Sequence, residues 1–312
     1  MRYVVTGGAG FIGSVISRTL LEKGNSVVII DKLDSLLYPS YMKKSRLEIL
    51  KAQYTFDFHE LDLATKNVAE VIQPNDIVIH CAALPGQVLS WENFNAYSNA
   101  NILATKNLLD ACVLRKVQNF VYSSTSSVYG KEANPKLNFQ LEPHSPYGVT
   151  KLSGENLARC YNSNFGLSTK ILRYFSVYGP GQRSDMAIQI FLESIRDNKE
   201  IVISGNGEQS RDFTYVEDCA RATISAAQSN APFLITDVSG GEVATILEVL
   251  KICFEVSGRR VPVRFMSRVR GDQDTTLARS LDSRLSFGSD QTTKLLEGIK
   301  NQWFRVISEK AT

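Results

Sequence analysis

The chain opens on a short apolar strand, residues 3–5, that runs straight into the glycine loop TGGAGFIGS and then into a helical pattern over residues 14–22. Gly7, Gly10 and Gly13 recur at every third position, with Phe11 and Ile12 between the last two. Glycine lets the backbone turn tightly and lets a ligand phosphate approach main-chain N–H groups. The helix that follows turns its positive end toward the same place. A strand–loop–helix with this spacing is a candidate phosphate cradle, and Asp31 strengthens it. This acid directly follows the apolar strand 27–30. An acid roughly twenty residues past such a loop accepts hydrogen bonds from adenosine ribose hydroxyls. It also repels a 2′-phosphate, so the expected cofactor is NAD rather than NADP. Lys32, next to it, argues mildly the other way.

The pattern then repeats. Residues 77–80 and 120–123 are further apolar, β-branched runs, and 99–114 reads as a helix between them. Continuous apolar strands alternating with helices indicate a parallel sheet covered on both faces. The expected fold is α/β, a Rossmann-type doubly wound parallel sheet with a smaller C-terminal α/β lobe for substrate. Residues 171–174 and 201–203 read as later strands, after which glycine and proline punctuate shorter elements. The division expected is a dinucleotide-binding domain over 1–170 and a substrate lobe over 171–312, with segments free to interleave. Residues 32–51 form a polar connection with some helical character and no evident task.

Composition removes several alternatives. The net charge of +3 is small for 312 residues and the basic residues are scattered, so nucleic acid is not an expected partner. No stretch is long enough to span a bilayer and the N-terminus lacks a signal segment, so a cytoplasmic protein is expected. Cys81, Cys112, Cys160, Cys219 and Cys253 form no CxxC pair and read as reduced thiols. His59, His80 and His144 lie too far apart in sequence for a metal motif.

The chemistry points to PYGVTK. Pro146 suits a helix start, and Tyr147 and Lys151, four apart, share a helix face. A free phenol has a pKa near ~10, too high for a base at neutral pH, and a neighbouring ammonium lowers it. The segment VYSSTSSVYG begins as a buried strand and ends in hydroxyls, at the sheet edge where such folds bind ligand. A hydroxyl there can hold a substrate oxygen while the tyrosine removes its proton.

Taken together, TGGAGFIGS, Asp31, HCAA, SSTSSVYG, PYGVTK, LRYFSVYGPGQ and GNGEQSRDFTYVED resemble, in order and spacing, the extended short-chain dehydrogenase/reductases of the nucleotide-sugar epimerase and dehydratase branch. The resemblance covers nearly the whole chain. It implies NAD as cofactor, a UDP-sugar as substrate and oxidation at sugar C4. Tyr147 would then be the general base, Lys151 the residue that orients the nicotinamide ribose, and Thr125 the hydroxyl partner. Asp62 and Leu63 match the segment beside the adenine, and Ala82 and Ala83 the turn beside the ribose and phosphates. Arg211 matches an arginine that grips the pyrophosphate, although a structural salt bridge suits it equally. A second such arginine is expected in RVRGDQD, where Val269 holds the usual place between Arg268 and Arg270; Arg270 is preferred. The family often dimerises through a four-helix contact, here residues 99–114 and 152–161, so a homodimer is expected.

Within the family, the dehydratases carry an Asp–Glu pair where this chain has Ser126 and Ser127. A serine has no suitable pKa for eliminating a C6 hydroxyl, so epimerisation is expected. The chain most resembles UDP-glucuronate 4-epimerases, which implies a carboxylate pocket of Thr125, Ser126, Ser127, Ser176 and Arg183. The fit is not complete, because Gly181, Ser184 and Ser176 stand where that group usually has Arg, Pro and often Thr. UDP-glucose, UDP-N-acetylglucosamine or a dehydratase reaction are the alternatives.

Overall fold

A computed structural model describes residues 1–34, 36–133, 140–269, 271–278 and 292–308. The first strand, β1 (Arg2–Thr6), leads through the glycine loop to α1 (Phe11–Glu22). There follow β2 (Ser26–Asp31), α2 (Tyr41–Lys51), β3 (Asp57–Glu60) and β4 (Ile77–His80). Helix α3 (Phe94–Ser98) continues through a π-helical turn, Asn99–Leu103, into α4 (Ala104–Arg115). Next come β5 (Asn119–Thr125), a 3-10 turn over Ser126–Tyr129, β6 (Glu132–Ala133), α5 (Pro146–Phe165), β7 (Thr169–Tyr174) and β8 (Val177–Tyr178). The remaining elements are α6 (Ala187–Arg196), β9 (Ile201–Ser204), β10 (Ser210–Tyr215), α7 (Val216–Gln228), β11 (Phe233–Val238), β12 (Glu242–Thr245), α8 (Ile246–Ser257), β13 (Val263–Met266), β14 (Thr275–Thr276) and a final helix, Leu295–Ser308.

Seven strands form one parallel sheet in the order β11-β7-β5-β4-β1-β2-β3. The order reverses between β1 and β4, which opens a crevice beyond their carboxyl ends. Alternate residues point to opposite faces of a strand. Accordingly Tyr3 and Val5 pack with α1 and α7 on one face, and Val4 packs with α4 and α5 on the other. A second core lies among α6, α8, the final helix and the smaller sheets, around Phe191, Ile201 and Trp303. The chain returns to the large sheet with β7 and again with α7 and β11, so the segments of the two layers interleave.

Two local departures from the sequence reading position the site. Residues 99–114 are one long helical run begun at Phe94, and it bulges at Asn99–Leu103. The buried side chain of Asn101 accepts from the Leu84 amide at 2.7 Å and donates to the Leu84 carbonyl at 3.0 Å and to Thr150 at 3.0 Å. It thereby ties the loop after β4 to α5. The connection 32–51 contains α2, which packs on the same sheet face as α1 through Leu47 and Leu50. The five cysteines are free, no described helix is long and apolar enough to cross a membrane, and no metal-ligand cluster occurs among the described residues.

Candidate active site

A cavity of about 490 Å³ lies along the crevice, within the ~300–1,000 Å³ usual for cofactor sites. Its wall includes Gly7, Gly10, Phe11, Ile12 and Gly13 of the loop, Asp31 at the end of β2, Asp62 and Leu63 after β3, Ala82 and Ala83 after β4, and Tyr147 and Lys151 on α5. The loop must be glycine for reasons visible in the packing. Gly7 has φ +70°, and a Cβ there would stand 2.6 Å from the Ala82 amide nitrogen. A Cβ on Gly13 would stand 2.3 Å from the Gly7 carbonyl oxygen. Backbone therefore packs on backbone. Gly10 caps α1 with no side-chain bond, which leaves the helix N-terminus to the cavity. These features fit a dinucleotide pyrophosphate.

Asp31 is buried and fully engaged. It accepts from the Ala9 amide at 3.2 Å, the Leu33 amide at 2.9 Å and Lys43 Nζ at 2.9 Å. Lys32, the residue that argued against NAD, faces Asp62 at 3.8 Å. Asp62 also accepts from the Ala64 amide at 2.9 Å, which shapes the turn after β3.

Helix α5 starts where Pro146 stands, with Ser145 as its N-cap accepting from the Gly148 amide at 3.2 Å. Tyr147 lines the cavity, and Thr125 is the last residue of β5. Burial pushes the Tyr147 phenol above its ordinary range, opposed by Thr125 and by the charge of Arg183. The Lys151 Nζ lies 4.2 Å from the centre of the Tyr122 ring. Burial lowers it to about 8, opposed by Cys81 and Glu155.

The expected sugar-side residues are spread more widely. Arg183 lines the cavity, and its guanidinium pairs with both oxygens of Asp185 at 2.8 and 2.9 Å. Thr125 ends β5 and Ser126 and Ser127 open the turn after it, all three buried. Thr125 Oγ1 donates to Ser127 Oγ at 3.2 Å and accepts from the Ser127 amide at 3.1 Å. Ser176 lies between β7 and β8, where its carbonyl accepts from the Thr214 amide at 3.1 Å. Arg211, on β10, donates to the Ser210 carbonyl at 2.7 Å and to Asp272 at 2.6 Å, the salt bridge that the sequence left open. Arg268 is near enough to bear on the charge of Arg211 and pairs with Asp274. Arg270 lies outside the described residues.

Known proteins match this chain in sequence and in fold. Residues 3–235 match the NAD dependent epimerase/dehydratase family. The chain belongs to this family. It is 38% identical over 308 residues to an uncharacterised UDP-glucose epimerase of Bacillus subtilis (strain 168), covering 97% of this chain and 96% of that protein. It is 34% identical over 305 residues to a UDP-glucuronate 4-epimerase of Thermodesulfobacterium geofontis (strain OPF15), covering 96% and 94%. The crystal structure of UDP-glucuronic acid 4-epimerase from Bacillus cereus, in complex with UDP-glucuronic acid and NAD, superposes with a TM-score of 0.93 at 35% identity, covering 99% of this chain and all of that one.

For a member of the NAD dependent epimerase/dehydratase family, the crevice holds residues that sequence reasoning missed. Lys43, on the α2 segment set aside as having no task, lines the cavity and pairs with Asp31. The signal was one turn of helix following the acid at a distance, which no local motif marks. Tyr97 packs edge-on against Tyr147, with ring centres 6.3 Å apart, and donates to the Pro85 carbonyl at 2.8 Å. Gln87 donates to Ser127 at 3.3 Å and to Gln273 Oε1 at 3.3 Å. These pairs join loops distant in sequence, so nothing local announced them.

Proposed function

We propose that this chain interconverts the two C4 configurations of a UDP-sugar, using bound NAD, and that its sugar is UDP-glucuronate, converted to UDP-galacturonate. The observation that carries the reading is the crevice that Tyr147 and Lys151 line together with the glycine loop and Asp31. In this reaction a substrate hydroxyl loses its proton to Tyr147 while Thr125 holds the oxygen. Lys151 supports the nicotinamide ribose, and Asp31, set by Lys43, receives the adenosine ribose. NAD supplies the acceptor for the C4 hydrogen and returns it, so the reaction has no net oxidation. After the 4-keto sugar turns in the site, Tyr147 gives the proton back.

The glucuronate assignment rests on the cavity-lining Arg183 and on the three neutral hydroxyls Thr125, Ser126 and Ser127. Neutral donors with one guanidinium suit a carboxylate, which an acidic pair would repel. Ser126 and Ser127 also leave no acid to eliminate the C6 oxygen of a hexose. Ser176, Arg211 and an arginine of the 268–270 segment complete the proposed sugar-nucleotide site. In this reading residues 1–170 carry NAD, residues 171–312 carry the sugar nucleotide, and the protein works in the cytoplasm as a homodimer.

The test is to incubate the purified protein separately with UDP-glucuronate, UDP-glucose and UDP-N-acetylglucosamine, with no NAD added, and to identify products by NMR. UDP-galacturonate from the first is the expected result. Turnover of only the neutral sugars would replace the glucuronate assignment, and stoichiometric NADH release would replace epimerisation.

A further inference from the structure

Gln87 stands on the loop after β4, two residues beyond the cavity-lining Pro85. Its amide nitrogen donates to Ser127 Oγ at 3.3 Å and to Gln273 Oε1 at 3.3 Å, one bond for each of its two hydrogens. Gln273 is buried, and its own amide nitrogen donates to the Gly130 carbonyl at 2.6 Å. A carbonyl only accepts, so the Gln273 atom facing Gly130 is nitrogen and the atom facing Gln87 is oxygen. Gln87 must then present nitrogen to Gln273, and with it to Ser127. One backbone carbonyl thereby fixes the orientation of both amides.

The consequence falls on Ser127. Its Oγ accepts from Gln87 Nε2 and, at 3.2 Å, from Thr125 Oγ1. A hydroxyl has two acceptor lone pairs and one hydrogen to give. With both lone pairs taken, Ser127 is left as a donor, and none of the described residues accepts its hydrogen. Thr125 can turn its hydrogen to a substrate oxygen, whereas Gln87 is held by Gln273 and keeps its lone pair filled in either state. The same segment reaches the other proposed sugar-nucleotide residues. The Asp274 amide donates to the Lys131 carbonyl at 3.0 Å, just past the hydroxyl turn, and Asp272 accepts from Arg211 at 2.6 Å.

We infer that Gln87, oriented by Gln273, is a positioning residue for substrate choice: it sets Ser127 as a hydrogen-bond donor and so favours a carboxylate at C6 of the sugar over a hydroxymethyl group. The inference deepens the proposed reading of Ser127 as part of the carboxylate pocket and rests on it. A carboxylate only accepts, and a bond to it is roughly twice as strong as a neutral one. A hydroxymethyl group both donates and accepts, so a fixed donor favours it less.

The experiment measures kcat and KM for UDP-glucuronate on the NAD-bound enzyme, and the affinity for UDP-glucose as substrate or competitive inhibitor. Gln87→Met keeps the length of the side chain and removes its donor. KM for UDP-glucuronate is expected to rise about threefold to tenfold, the order of one hydrogen bond, while kcat and UDP-glucose affinity stay within about twofold of the wild type. Gln273→Met releases the Gln87 amide from its other end and shifts KM in the same direction. In a Ser127→Ala background, Gln87→Met adds no further loss, because the two changes remove one interaction. Equal losses for both sugar nucleotides, or losses that simply add in the double variant, overturn the inference and leave a structural contact. The reading beneath it fails differently. A wild type that binds UDP-glucose and not UDP-glucuronate, or a Ser127→Ala enzyme with unchanged preference, removes Ser127 from the carboxylate pocket and the inference with it. If Ser127→Ala loses the preference and Gln87→Met keeps it, only the role of Gln87 is lost.

Discussion

At the scale of single residues, environment decides what each side chain does. Arg183 is a loop arginine with a carboxylate of its own, Asp185, on both nitrogens, yet it lines the cavity and its charge reaches Tyr147. Arg183→Ala removes a cation that bears on the phenol and the proposed carboxylate partner together. Activity on UDP-glucuronate is expected to fall by about tenfold to a thousandfold, the range for losing a charge-assisted bond of roughly 1.5–3 kcal/mol plus acid–base tuning. NAD affinity, measured by calorimetry, stays as in the wild type. Equal turnover in the variant would remove Arg183 from the site. His80 shows the opposite case, a titratable group used as a neutral spacer. Its ring nitrogens lie 2.7 Å from Thr6 Oγ1 and 2.9 Å from Thr105 Oγ1, and burial lowers it to about 3. Its unfolded value is about 6.5. Between these values the unfolded chain binds a proton that the folded chain refuses, so the contribution to stability is whole above about pH 6.5 and is lost as pH falls toward 3. The urea midpoint should drop with acid, and His80→Asn should flatten that dependence; an unchanged slope would contradict it.

At the scale of elements, the glycine loop is the clearest case of sequence dictating geometry. Gly7 needs both a left-handed φ of +70° and room for the Ala82 backbone. Gly7→Ala is expected to cost about 1–2 kcal/mol of strain before any displacement of the loop, and the displacement opens the cradle. NAD affinity should drop at least tenfold, with less NAD retained through purification, read by absorbance after denaturation. Full retention of NAD would show that the cradle is not where the pyrophosphate sits. Helix α2 teaches a different lesson. Its composition is polar and its pattern weak, so it read as connection. In the fold it supplies Lys43 to Asp31, and Arg46 to the Gly181 carbonyl at 2.8 Å, joining the adenosine end of the crevice to the Arg183 loop.

At the scale of the whole molecule, the helical run 94–115, the turn before it and α5 leave apolar side chains outward. Trp91, Phe94, Leu103 and Val149 are 53%, 46%, 42% and 46% exposed. Of these, Leu103 lies within residues 99–114, one of the two segments named for the proposed homodimer contact. Leu103→Glu is expected to convert the dimer to monomer in sedimentation velocity without lowering the melting temperature of the isolated chain by more than about 0.5 kcal/mol equivalent. A wild-type monomer, or an unaltered dimer in the variant, would place the contact elsewhere or nowhere. The larger architecture constrains the site through interleaving, because β7 and β11 return to the first sheet and bring the residues after 170 to its carboxyl edge.

The amino-acid sequence alone determined the parallel sheet, the glycine cradle, Asp31 and the Tyr147–Lys151 helix face. Each is a local matter of period, φ or helical spacing, and local chemistry is written in consecutive residues. Its family resemblance carried the expected cofactor and reaction further. Only the tertiary structure decided which charges meet. Arg183 from a distant loop bears on Tyr147, the partner of Asp31 is Lys43, and Glu155, one turn from Lys151, is locked by an arginine from another strand. Coulombic and hydrogen-bond partners are chosen by distance and burial in space, and neither can be counted along a chain.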